Sequence, residues 1–135
     1  MKRGLVIWDE SEDLKEIAEA LVEGLEEEGV KVDLQGINSI GKPINFSRYD
    51  VVLVGSSHEG FFGGKISPKL KEFLKNCKGM AGRDVIAFVN SRFFGTSKAL
   101  KEVMSNLEAH GSIVRDFREF EGGEAAKKYI KVIGL

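Results

Sequence analysis

Leu5-Val6-Ile7-Trp8, Val51-Val52-Leu53-Val54 and the run at 85–89 contain no polar alternation, and each leads into a segment whose apolar residues return at helical spacing. Strands of this kind must be covered on both faces. A parallel sheet between two layers of helices provides that cover, whereas a half-solvated antiparallel sheet does not. Leu14, Ile17, Ala18, Leu21, Val22 and Leu25 form the first helical stripe, with Glu16, Glu19, Glu23 and Glu26 turned away from it. A second stripe, Leu70, Phe73, Leu74 and Cys77, follows Ser67-Pro68, where Pro suits the first helical position. Leu100, Val103, Met104 and Leu107 make the third stripe, and Ala125, Ala126, Tyr129, Ile130 and Ile133 the fourth. Residues 30–34 alternate like an edge strand, and 112–117 read as a last strand. Gly29 and Gly111 stop the helices before them. Residues 36–49 have no period and read as connection.

Strands and helices in this alternation predict an α/β fold, a doubly wound five-stranded parallel sheet with right-handed crossovers. The chain of 135 residues suits one domain with a real core, so residues 1–135 read as a single domain. With 20 Lys+Arg against 21 Asp+Glu the net charge is -1, which removes the general attraction that nucleic-acid binding needs. No apolar run approaches the roughly 18 residues of a membrane span, and the stretch before Asp9 is too short for a signal peptide, so a cytoplasmic protein is expected. The lone Cys77 excludes an internal disulfide and a cysteine metal cage. Neither a Gly-x-Ser-x-Gly elbow nor a P-loop is present.

Charge is spread unevenly. Residues 9–28 hold ten carboxylates against Lys15 alone, about -9 in a chain of total -1, so the remainder carries about +8. A helix N-terminus favours carboxylates, by roughly 0.3–1 kcal/mol each when exposed. Asp9, Ser11 or Asp13 is therefore expected to cap the first helix, with the protein's own carboxylates gathered at its start. The acidic outer face of that helix suits a basic partner protein.

Over nearly its whole length the chain resembles the flavodoxin family. The resemblance rests on Trp8 through Ala18, on Tyr49-Asp50-Val51-Val52-Leu53-Val54-Gly55-Ser56 with Gly60 and Leu70-Lys71-Glu72-Phe73-Leu74, and on Val89, Asn90, the Gly95 loop, Ala99-Leu100 and residues 107–111. It implies strand order 2-1-3-4-5, with FMN at the carboxyl ends of the strands and electron transfer as the activity. A redox partner would then dock on the acidic first-helix face. Where the family places Thr-Gly-Asn-Thr around the flavin phosphate, this chain has Ser11-Glu12-Asp13-Leu14, and only Ser11 keeps a hydroxyl. The Asp9-Glu10 pair also resembles that of a response-regulator receiver, but the third strand ends in Gly55-Ser56 and the fifth lacks a terminal Lys.

Two further loops carry candidate ring-binding residues. Ser57-His58-Glu59-Gly60-Phe61-Phe62-Gly63-Gly64 follows the third strand, and Asn90-Ser91-Arg92-Phe93-Phe94-Gly95-Thr96 follows the fourth. A planar ring stacks on aromatic side chains with roughly 1–3 kcal/mol per contact. The cofactor-binding set is therefore Ser11, Ser57, His58, Gly60, Phe61, Phe62, Asn90, Arg92, Phe93 and Phe94. The other reading is that one Phe of each pair packs beneath its loop. No second His or Cys stands near His58, so no metal site is expected. Two functions follow: a flavin-binding redox protein held together by ring stacking, or a flavin-free binding module on the same fold.

Overall fold

The computed structural model describes residues 1–38, 44–58 and 65–133. In chain order they form β1 (Arg3–Trp8), α1 (Glu12–Glu27), β2 (Lys31–Gly36), a 3-10 turn (Phe46–Arg48), β3 (Val51–Ser56), α2 (Pro68–Lys75), β4 (Asp84–Asn90), α3 (Thr96–Ala109), β5 (Ile113–Phe120) and α4 (Gly123–Ile133). All pairings are parallel, in a five-stranded sheet of order β2-β1-β3-β4-β5. The apolar runs are the central strands: every residue of β3 is buried, as is β4 after Asp84.

The sheet separates two cores. On one face Leu14, Ile17, Leu21 and Leu25 of α1 and Ala126, Tyr129 and Ile130 of α4 pack on Val6, Leu53 and Phe88. On the other, Leu70 and Leu74 of α2 and Leu100, Val103 and Leu107 of α3 pack on Leu5, Ile7, Val54 and Val89. Each of the Leu, Ile, Val and Phe side chains, fully buried, contributes about 1.5–3 kcal/mol. Gly29 and Gly111 follow α1 and α3 with φ of +82° and +89°, the left-handed backbone that ends a helix cheaply only at glycine.

Three local expectations change. Cys77 lies two residues beyond α2 rather than on its stripe, half-buried, with burial pushing its thiol up to about 12. The connection at 36–49 contains an ordered turn in which Asn45 Oδ1 accepts from Ser47 N and Phe46 is fully buried. Strand β5 runs on to Phe120, because pairing with β4 continues through its charged residues. Among the described residues no helix is long and apolar enough to cross a membrane.

Candidate functional site

Parallel pairing brings the carboxyl ends of β1, β3 and β4 to one edge, so the residues just after each strand meet there. Asp9, only 9% exposed, joins two of these loops. Its Oδ1 accepts from Ser11 N at 3.2 Å and Ser11 Oγ at 2.8 Å. Its Oδ2 accepts from Ser57 N at 2.8 Å and Ser57 Oγ at 2.5 Å. One carboxylate thus takes two backbone and two hydroxyl donors, the kind of donor set that an anion would use at this edge. Ser11 occupies the α1 N-cap position but makes no capping bond with its side chain, since its hydroxyl is spent on Asp9.

The third loop is tied in by His58, Asn90 and Arg92. Asn90 Oδ1 accepts from His58 N at 3.1 Å, and Asn90 O lies 3.0 Å from His58 Nε2. Arg92 Nε donates to His58 O at 3.2 Å, and its guanidinium pairs with Asp13 at 2.6 Å. That pair is half-exposed and worth at most about 1 kcal/mol, but it fixes the β4–α3 loop against the start of α1. Thr96 Oγ1 accepts from Arg92 N and donates to Arg92 O, which closes the loop on itself. Glu10 adopts φ +63°, and its carboxylate takes Asn38 N at 2.6 Å beyond the end of β2. Asp9, Glu10 and Asp13 are therefore all engaged by the protein's own donors.

His58 is 2% exposed, and its Nδ1 has no partner among the described residues. Burial holds its pKa below the ordinary 6.5, outweighing the bond to Asn90 that favours the proton, and Arg92 pushes the same way as burial. The unfolded chain then binds the proton more tightly, so stability is complete above about pH 6.5 and is lost as pH falls below it. The melting temperature should therefore fall on acidification from about pH 7 towards 5, and His58→Gln should flatten that part of the profile. An unchanged slope in the variant would assign it to the carboxylates.

Phe93 and Phe94 form an edge-to-face pair, centroids 4.8 Å apart, and are 93% and 68% exposed. Neither packs beneath its loop, so the alternative of a buried member does not hold for this pair. Glu12, Asp13, Glu16 and Glu121 line, together with Arg92, a pocket of about 160 Å³, small beside the 300–1,000 Å³ typical of ligand sites. Of the predicted set, Ser11, Ser57, His58, Asn90, Arg92, Phe93 and Phe94 lie at this edge, whereas Gly60, Phe61 and Phe62 lie outside the described residues. Asp9 and Asp13, the acceptors that organise the edge, were absent from that set; the signal for Asp9 was an acid directly after a buried strand with Ser two residues on. Among the described residues no group of three or more His, Cys, Asp or Glu can hold a metal.

Solved structures with this topology are numerous. Flavodoxin 2 from Bacillus cereus superposes with a TM-score of 0.74 at 17% identity, covering 96% of this chain and 95% of that one. Flavodoxin 1 from the same organism gives 0.72 at 16%, covering 100% and 99%. A flavodoxin from the domain Archaea gives 0.71 at 18%, covering 98% and 93%. The fold is that of the flavodoxins. No protein-family model matches the sequence, and a search of curated proteins finds no match. On the flavodoxin-like frame the β1–α1 loop is the segment where the resemblance places the flavin phosphate, and it is the segment that Asp9 ties to Ser57.

Proposed function

We propose that the protein is a flavodoxin-fold binding module that does not retain FMN as a resident cofactor. The observation that carries this reading is the Asp9 carboxylate, which uses the hydroxyls of Ser11 and Ser57 and both backbone N–H groups for itself. A phosphate dianion brought to the start of α1 would meet Asp9, Glu10, Glu12 and Asp13, and Arg92 nearby is already paired with Asp13. Two unit charges about 5 Å apart at an effective dielectric near 20 repel by roughly 3 kcal/mol. These residues do not fit the phosphate.

Among the described residues ring stacking does not replace it. Phe93 and Phe94 at roughly 1–3 kcal/mol each supply about 6 kcal/mol at most, a dissociation constant of tens of micromolar. A flavin held in that way exchanges with solvent, so electron transfer through it would require flavin supplied from outside. What the edge offers is an exposed aromatic pair beside acidic residues, which suits a partner with an apolar patch flanked by Lys or Arg. The acidic outer face of α1 extends the same surface, although Glu23 and Glu27 there already clasp Lys127 of α4.

The absorbance of the purified protein, and its titration with FMN and with riboflavin followed by flavin fluorescence, test the reading. Both flavins should bind weakly, near or above about 10 µM, and with equal affinity because no group among the described residues is free to read the phosphate. Copurified FMN, or FMN binding a hundredfold tighter than riboflavin, would establish a phosphate site and a resident flavin.

A further inference from the structure

We propose that the free edge of β5 pairs antiparallel with β5 of a second copy of this chain, about a two-fold axis through Phe117. Strand β5 ends the sheet beyond β4, so among the described residues one side of its backbone has no neighbouring strand. Edge strands of this kind are templates for pairing. Phe117 is half exposed, and its N–H donates to Asp116 Oδ1 at 2.9 Å, which marks its backbone as facing away from β4. In a two-fold antiparallel pair the two Phe117 residues would exchange N–H···O=C bonds, each replacing the local bond to Asp116.

The charges around Phe117 choose the occupant. The strand reads Val114-Arg115-Asp116-Phe117-Arg118-Glu119-Phe120. Pairing about Phe117 sets Asp116 opposite Arg118 in regular register, twice by symmetry, and brings Arg115, at the start of that stretch, towards Glu119 of the second copy. A two-fold pair keeps each sheet face continuous with itself, so its centre falls on a residue. Centres at Arg115, Asp116, Arg118 or Glu119 would each bring a residue against its own like charge. Of the centres from Arg115 to Glu119, only Phe117 is free of such a clash; Arg115 already pairs with Asp84 at 2.8 Å and Arg118 with Asp116 at 3.4 Å, and this register adds a partner for Glu119. Opposite charges directly across an antiparallel ladder are favourable, and aromatic pairs are among the best cross-strand contacts.

The β4 register steps between Val85 and Ile86, where Val85 faces Val114 and Ile86 faces Asp116, so Arg115 is an extra residue. A bulge of this kind also guards an edge against pairing. Here it leaves the regular stretch from Asp116 to Phe120 available, with Arg115 reaching Glu119 of the second copy from the flank. If the charges and bulge are only guards, the protein is a monomer.

Sedimentation equilibrium on the full chain, from low micromolar to submillimolar concentration, separates these outcomes. A reversible dimer is expected. Glu119, which makes no ion pair among the described residues, is the residue to reverse: E119R brings Arg towards Arg at two places and should weaken dimerisation about tenfold or more. The double reversal R115E/E119R should recover it. Thermal melts establish that each variant is folded, and amide exchange of the natural protein gives an independent reading, because Phe117 N–H protection should rise with concentration. A monomer at every concentration overturns the proposal. So does a dimer that E119R leaves unchanged, or a Phe117 amide whose exchange ignores concentration.

Discussion

Replacing Asp9 by Ala should destabilise the fold by about 3 kcal/mol, a fall in melting temperature of ~10 °C for a domain of this size. Four donors lose a charged acceptor at once, and bonds to charged groups are worth about 1.5–3 kcal/mol each before water repairs the exposed ones. Ser57→Ala is the informative comparison. It removes one hydroxyl donor and leaves the backbone bond, so about 1 kcal/mol is expected. In the D9A background the same change should cost almost nothing, since the partner is already gone. Additive losses would mean that Asp9 and Ser57 act separately and that the β1 and β3 loops are not joined through this carboxylate.

Phe46→Ala should cost about 3–5 kcal/mol, the loss expected for a buried Phe. Phe46 is 0% exposed, sits in a single 3-10 turn, and packs into the core shared by α2 and α3. Chemical denaturation should show the midpoint falling with the slope unchanged. Ser47→Ala, at the neighbouring exposed position, removes one bond to Asn45 and should cost under about 1 kcal/mol. Were the two variants equally stable, the 3-10 turn would be lying on the core without contributing to it.

The contrast between Phe46 and β3 shows what a sequence displays. Val51-Val52-Leu53-Val54 is legible as a buried strand because neighbouring residues share one environment, which leaves a run. Pro68, Gly29 and Gly111 are legible because backbone geometry restricts the residue type at a single position. Phe46 is one buried residue in an otherwise polar segment, and one residue has no period. Strand β5 is legible in its first half only, since an edge strand with Arg115, Asp116, Arg118 and Glu119 exposes charge on both faces. The site divides along the same line. That acids crowd the start of α1 is local information. That Asp9 turns towards Ser57, and Asp13 towards Arg92, depends on contacts across 48 and 79 residues, which no local pattern encodes.

Helices α1 and α4 meet closely where a Cβ on Gly24 would stand 3.2 Å from Ile130 and one on Gly123 would stand 3.1 Å from Ala20. Lys127 closes the seam by holding Glu23 and Glu27 at 2.9 Å each. During synthesis this arrangement imposes an order. The α1 stripe emerges early and has only part of its covering until Ala126, Tyr129 and Ile130 have left the ribosome, while α2, α3 and the strands beneath them can already close the opposite core. A nascent chain halted before α4 would display the apolar flank of α1, and Phe120 of β5, to chaperones. The side of the molecule translated first is thus the side finished last.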